Sequence, residues 1–311
     1  MNRCLCCNKP LKEGTWHKNC IRRFFNSDYL PEINITNDQL KQLAITQLEG
    51  KKGLAGVQEK LSLHLDLNNK KRPRLTIIGF PSGYILKPQS STYKQLPEYE
   101  HTAMLLADLC HIPVVPHALI HINDSELAYI TKRVDRKGNH KIHMEDFCQA
   151  IGNLTDNKYR ASYEDCMRLI DEHSFIPELD KRLLFTALYF SFVICNSDFH
   201  LKNMSFIMDE YGCLSLAPFY DFLPTKVILP TDHDDLGMVF NGRKTNLHKH
   251  DFDQFCKNIG IDEKTQSRLM KSIDDKENEM IEIINSSSIN QYGKSEWIRK
   301  IHSNIKRAKQ P

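Results

Sequence analysis

In the stretch ICNSDFHLKNMSFI, Asp198, His200, Lys202 and Asn203 crowd together directly after the apolar run LLFTALYFSFVIC. Asp198 stands five residues before Asn203. That spacing suits phosphoryl transfer, in which a carboxylate takes the hydroxyl proton and an amide oxygen binds Mg²⁺. Asp221, in FYDF, stands where a second Mg²⁺ ligand would be wanted. The segments MSFIM and CLSLA flank DEYG, and a hairpin centred on Gly212 would bring Asn203 opposite Asp221 at its open end. The plainer alternatives are a solvated turn for the first group and the two ends of a surface hairpin for the second.

Other parts of the same chemistry have candidates upstream. Lys87, in GYILKP, closes a β-rich piece, and Glu100 lies in the first turns of the helix expected next. A strand lysine held by a helix glutamate is how a cation is fixed on nucleotide phosphates. A surface lysine at a strand end would look the same. Gly53 and Gly56, in KKGLAGVQEKLSL, would let backbone amides approach a phosphate, and a simple turn would share that pattern.

These residues need elements to hold them. EKLSLHLDL alternates Leu61, Leu63, Leu65 and Leu67 against polar neighbours, and RLTIIGFPSGYILKP adds two short β-rich pieces. PEYEHTAMLLADLC reads as a helix, with Pro97 and acids in its first turn. VVPHALIHI and LAYITKRV are strands again. Beyond Asp135 the segments 144–152, 162–173 and 178–196 read as helical, the last apolar all round and so central and buried. NMSFIMDEYGCLSLAPFYD returns to strand, and 250–310 is mostly helix. The expected fold is therefore α+β and two-lobed, with a Cys-rich segment over 1–30, a β-rich lobe over 31–134 and a larger helical lobe over 135–311.

Composition sets limits. Net charge of +3 spread over 42 basic and 39 acidic residues gives no general reason to expect nucleic acid. Only the tail KSEWIRKIHSNIKRAKQP is basic, as a solvated helix end or a nucleic-acid patch. The N-terminus lacks a signal-type apolar core, and the longest apolar run is too short for a bilayer helix, so a cytoplasmic protein is expected. In CLCCNKPLKEGTWHKNC, Cys4 and Cys7 form a C-x-x-C pair and His17 and Cys20 an H-x-x-C pair. Those spacings suit a structural Zn²⁺ site, with free thiols packed on the β-rich lobe as the alternative.

Together GLAGVQEKLSL, YILKP, TKRVDR, MEDFCQA, NSDFHLKN and PFYDFLPT resemble, in order, the motifs of the HipA-like serine/threonine kinases of bacterial toxin–antitoxin systems. The resemblance covers roughly residues 50 to 250. It implies a protein-kinase-like fold using ATP and Mg²⁺, with Asp198 as base and Asn203 and Asp221 as metal ligands. It also implies an ATP site of Ala55, Gly56, Val57, Gln58, Glu59 and Lys60 in the loop over the phosphates, and of Lys87. Lys132, Arg133 and Val134 would form the adenine hinge, with His200, Lys202, Asn203, Tyr220 and Asp221 completing the site. The implied substrate is an aminoacyl-tRNA synthetase. The implied partners are a helix-turn-helix HipB-like antitoxin that binds DNA and a small HipS-like protein, since the match starts too early for an extra N-terminal subdomain.

One feature departs from the family: Gly53 and Ala55 stand where a loop serine is often autophosphorylated. His200, within the matching motif, stands where the usual protein-kinase catalytic loop has a lysine. A catalytically silent module that binds an antitoxin or DNA is the rival from another class. A kinase acting on a lipid or small molecule is a second rival.

Overall fold

The computed structural model describes residues 2–33, 60–77, 82–122, 126–138, 140–152 and 157–310. Two units divide the chain. One holds Met1–Thr102, Val115–His140 and Ser286–Ser288, and the other Ala103–Val114, Lys141–Asn285 and Ile289–Pro311.

The first unit begins with α1 (Lys18–Phe25) and is built on six strands: β1 (Glu32–Ile33), β2 (Leu61–Asp66), β3 (Arg74–Thr76), β4 (Tyr84–Lys87), β5 (His117–His121) and β6 (Leu127–Lys132). Their order is β1-β3-β2-β4-β6-β5, antiparallel throughout except for the β1–β3 pair. The leucine alternation does what period two requires: Leu61 and Leu63 are buried while Ser62 is exposed. Trp16, Phe24 and Phe25 pack on that face with ring centroids 4.8–5.5 Å apart, and Tyr84 of β4 joins them. The Tyr84 hydroxyl donates to the Phe24 carbonyl at 3.2 Å. Truncating either phenylalanine to alanine would cost about 3–5 kcal/mol, most of it a cavity under the sheet. Helix α2 (Leu96–Leu109) then begins, and a two-stranded ribbon, β7 (Arg136–Lys137) with β8 (His140–Lys141), follows β6.

The second unit carries a three-stranded sheet, β11 (Leu214–Leu216), β10 (Ser205–Met208) and β9 (Met144–Asp146) in that order. Around it run α3 (Phe147–Ala150), α4 (Tyr163–His173), α5 (Pro177–Ile194), α6 (Thr225–Ile228), α7 (Lys249–Asn258), α8 (Glu263–Asp274), α9 (Glu277–Ser286) and α10 (Gln291–Arg307). Residues 144–152, expected as helix, begin as a strand. Met144, Glu145 and Asp146 pair with Ile207, Phe206 and Ser205, and that distant partner outweighs local helix preference. Asp146 then caps α3 by accepting from the Gln149 N–H.

Helix α5 is buried on every side from Leu184 to Ile194, as the apolar run requires. Pro177 at its start and Glu178 and Asp180 in the first turn favour initiation there. At its end Cys195 takes φ 70°, the left-handed turn that stops a helix. The last carbonyls, which no helix can satisfy internally, are met by α10: Trp297 Nε1 donates to the Ile194 carbonyl at 3.0 Å, and Asn304 Nδ2 to the Phe192 carbonyl at 2.7 Å. A rigid post thus ends immediately before Asn196.

Candidate active site

The loop leaving α5 is fastened at both ends. The Ser197 N–H and hydroxyl both lie 2.6 Å from Thr225 Oγ1 at the start of α6, and Ser197 Oγ donates to Asp232 Oδ2 at 2.5 Å. The N–H of the next residue, Asp198, donates to Asn196 Oδ1 at 3.2 Å. Its carboxylate accepts from the Tyr159 hydroxyl, and His200 Nε2 lies 3.9 Å from Asp198 Oδ1. The side chain of Asp198 keeps 15% exposure, while His200 keeps 3%. Burial and the facing Asp198 charge both push the Tyr159 phenol well above its ordinary value, so it stays protonated and donates.

Gly237 presses directly on this loop. A Cβ there would lie 2.8 Å from the Phe199 carbonyl and 3.0 Å from the Phe199 nitrogen, so only glycine lets the two backbones approach this closely.

Asn203 closes a short 3₁₀ turn, Leu201–Asn203, and is buried. Its Oδ1 accepts from the His200 N–H at 3.1 Å, which sets the amide's orientation. An amide oxygen has two lone pairs, so one remains for a cation. Asp221 is half-buried and sits at φ 61°, a left-handed conformation uncommon outside glycine and concentrated at functional sites. Two oxygen donors of this type suit a hard cation such as Mg²⁺.

The expected hairpin register is corrected. Phe206 pairs with Leu216, Ile207 with Ser215 and Met208 with Leu214, so the ladder is centred on Tyr211 and not on Gly212. Position 203 would therefore face 219. The strand does not run that far, because Phe219 leaves the hairpin and donates its N–H to the Pro113 carbonyl at 2.8 Å. Gly212 still serves the turn, at φ 83°, one residue past its centre.

Lys202 and Tyr220 support the loop. Lys202 Nζ lies 3.1 Å from Asp146 Oδ2, and the Tyr220 hydroxyl bonds the Ser205 hydroxyl at 2.6 Å and the Lys202 carbonyl at 3.0 Å. Burial, more than any neighbour, pushes the Tyr220 phenol up.

In the first unit Lys87 Nζ lies 2.5 Å from Glu100 Oε1, with 5% and 0% of the two side chains exposed. Lys87 also sits 5.3 Å over the Tyr129 ring. Lys132, Arg133 and Val134 follow as the end of β6 and the residues beyond it. Lys132 and Arg133 use their N–H groups on the Pro116 and Gly83 carbonyls, at 2.9 and 2.8 Å. The Arg133 guanidinium binds Asp135 at 2.8 and 2.9 Å. Burial works against ionising Asp135, but Arg133 and Arg136 overcome it and hold its carboxyl below the usual value. Lys60 is exposed just before β2, whereas Ala55, Gly56, Val57, Gln58 and Glu59 lie outside the described residues.

Sequence reasoning missed Tyr159, Asp146 as the partner of Lys202, and Gly237. Tyr159 lies in the polar stretch DNKYRAS, which reads as loop, and its partner is 39 positions away. The motif MEDFCQA did flag the neighbourhood of Asp146, though not its role.

Known proteins bear on this arrangement. Y4mE of Sinorhizobium fredii, a kinase by name, is 32% identical over 230 residues, 69% of this chain and 53% of its own length. The chain thus spans about half of that relative. A Haemophilus influenzae protein, also a kinase by name, is 26% identical over 84% of each chain. Among solved structures, Shewanella oneidensis HipA, crystallised with HipB and operator DNA, matches at TM-score 0.70 and 20% identity, over 88% of this chain and 70% of that one. The Helicobacter pylori kinase CtkA matches at TM-score 0.55 and 14% identity, over 80% of this chain and 94% of that one. These likenesses give the α+β, protein-kinase-like fold. The HipA-like C-terminal domain model matches residues 53–281, most of the chain and every catalytic-loop candidate, and the chain belongs to that family.

Proposed function

We propose that this chain is an ATP- and Mg²⁺-dependent serine/threonine protein kinase and the toxin of a toxin–antitoxin system. The observation that carries the reading is the buried ion pair between Lys87 and Glu100 at 2.5 Å. A lysine with so little exposure has to be held by an opposite charge, and a strand lysine held by a helix glutamate is the phosphate-positioning device of kinases.

The remaining roles follow from chemistry. Asp198 accepts the proton of the attacking hydroxyl, and Tyr159 and His200 orient its carboxylate. Asn203 and Asp221 hold Mg²⁺, which when bound neutralises charge developing on the phosphates. Residues 55–60 are the ones the resemblance assigns to the nucleotide phosphates, and Lys202, His200 and Tyr220 keep the catalytic loop in shape. Lys132, Arg133 and Val134 form the hinge that meets the adenine, with the Lys132 and Arg133 N–H groups already used on the Pro116 and Gly83 carbonyls.

The substrate in this reading is a serine of an aminoacyl-tRNA synthetase, whose modification inhibits translation and growth. The enzyme works in the cytoplasm, where its ten free cysteines stay reduced. The Shewanella neighbour was solved with HipB and operator DNA. By that likeness the partner here is a HipB-like helix-turn-helix antitoxin, which reaches DNA on the toxin's behalf.

The test is labelled ATP and Mg²⁺ incubated with a panel of aminoacyl-tRNA synthetases, beside Asp198→Asn. One labelled synthetase is expected, with transfer at least ~100-fold lower in the variant, the usual scale of a lost general base. No label from either protein, despite measurable ATP binding, would point instead to a silent kinase-fold module.

A further inference from the structure

We propose that Cys4, Cys7, His17 and Cys20 form a structural Zn²⁺ site that fastens the N-terminal segment onto the six-stranded sheet. Their ligand atoms, three sulfurs and one imidazole nitrogen, all lie within 4.8 Å of one another. In a tetrahedral zinc site sulfur and nitrogen donors stand about 3.5 Å apart, given bonds of about 2.3 and 2.0 Å. His17 Nδ1 lies 3.4 Å from Cys7 Sγ and 3.9 Å from Cys20 Sγ, so an ion draws the set in by only a small movement.

The surroundings are also those of a metal site. His17 Nε2 lies 3.0 Å from the Pro10 carbonyl. A carbonyl only accepts, so Nε2 carries the hydrogen and Nδ1 turns its lone pair toward the sulfurs, the tautomer a ligand needs. The His17 N–H points at Cys4 Sγ from 3.3 Å, a contact that favours the thiolate. Backbone bonds from the Cys4 N–H to Lys9 and from the Asn8 N–H to Cys4, with Asn8 at φ 53°, close a tight loop around the first pair of ligands. The second pair opens α1, with His17 as its N-cap. Four donors leave no open coordination position, so the ion's role is structural and not catalytic.

Residues 2–17 form no helix or extended sheet of their own, yet they deliver Leu11 and Trp16 to the core under β2 and β4. The Leu5 carbonyl accepts from the Leu119 N–H of β5 at 2.8 Å. An ion linking this segment to α1 holds both against the sheet. The proposal does not depend on phosphoryl transfer.

The test is metal analysis and native mass spectrometry of full-length protein expressed with zinc and purified without chelator, followed by Co²⁺ exchange. About one zinc per chain is expected, with thiolate-to-cobalt charge-transfer absorption after exchange. Cys20→Ser should lose the metal while Cys110→Ser, a buried thiol outside the cluster, keeps it. Should Cys20→Ser fail to fold, the zinc content and cobalt spectrum of the unaltered protein decide. Less than about a tenth of an equivalent of zinc together with no cobalt–thiolate absorption would overturn the site, as would a mapped Cys4–Cys7 disulfide.

Discussion

Asp198 shares its surroundings with a phenol and an imidazole, and this fixes how its reactivity should depend on pH. The Tyr159 hydroxyl donates to the carboxylate, and a donor to the charged form lowers a carboxyl pKa. Tyr159→Phe removes the donor but keeps the ring, which stands edge-on to His200 with centroids 4.9 Å apart. The acid limb of the kcat–pH profile should therefore move to higher pH, since the charged carboxylate loses a donor. Transfer at pH 8 should change little. An acid limb that stays in place would remove Tyr159 from the base's environment. That Asp198 and Asn203 share one short loop was readable from the sequence, because only five positions separate them. Tyr159 was not, because its link to Asp198 exists only once α4, α5 and the loops between have packed.

Elements decide how firmly that loop is held. Helices α2, α4 and α5 were legible within a few residues, since their apolar patterns and start signals agree with the packing they meet. The hairpin after Asn203 was legible as a hairpin but not in its register, because Phe219 follows a partner at Pro113 that no local pattern announces. Gly237 was invisible for the same reason: its neighbour is the backbone of Phe199. Gly237→Ala should shift the catalytic loop and lower kcat by about 100-fold, the scale of an ångström-sized misplacement, with KM for ATP little changed. Unaltered kcat would show that the loop tolerates the shift. A second element-level prediction concerns α2 and β5. His101 and His117 are buried, with their Nδ1 atoms 2.9 Å apart, so one donates and the other accepts. Burial, aided for His101 by its neighbour, pushes both below their ordinary 6.5, His117 to about 3. The unfolded chain therefore binds more protons than the folded one below pH 6.5, and stability falls as pH drops through that window. The slope is about 1.4 kcal/mol per pH unit for each imidazole once its unfolded form is charged. Urea midpoints should decline from pH 7 to pH 5, and His117→Asn should flatten the decline. Equal slopes in the two proteins would refute the assignment.

For the whole molecule, the proposed kinase and the silent kinase-fold module differ in ATP turnover, and two substitutions separate them. In the proposed reading Lys87 and Asp198 belong to different functional steps, one to nucleotide binding and the other to proton transfer. A ligand that binds only the folded state stabilises it by RT ln(1 + [L]/Kd), about 2.7 kcal/mol at a hundredfold excess over Kd. Mg²⁺–ATP should therefore raise the thermal midpoint of the unaltered chain by several degrees, and equally that of Asp198→Asn, which keeps the phosphate lysine and both metal ligands. Lys87→Met should lose most of the rise. Its own midpoint without ATP should also be lower, because the buried Lys87–Glu100 ion pair is broken, a loss of about 3–5 kcal/mol. The shift on adding ATP, and not the starting midpoint, is thus the decisive quantity. A shift in Asp198→Asn without phosphoryl transfer assigns Asp198 to chemistry alone. An ATP shift that survives intact in Lys87→Met would mean the buried Lys87–Glu100 pair is structural, and the kinase reading would lose the observation that carries it.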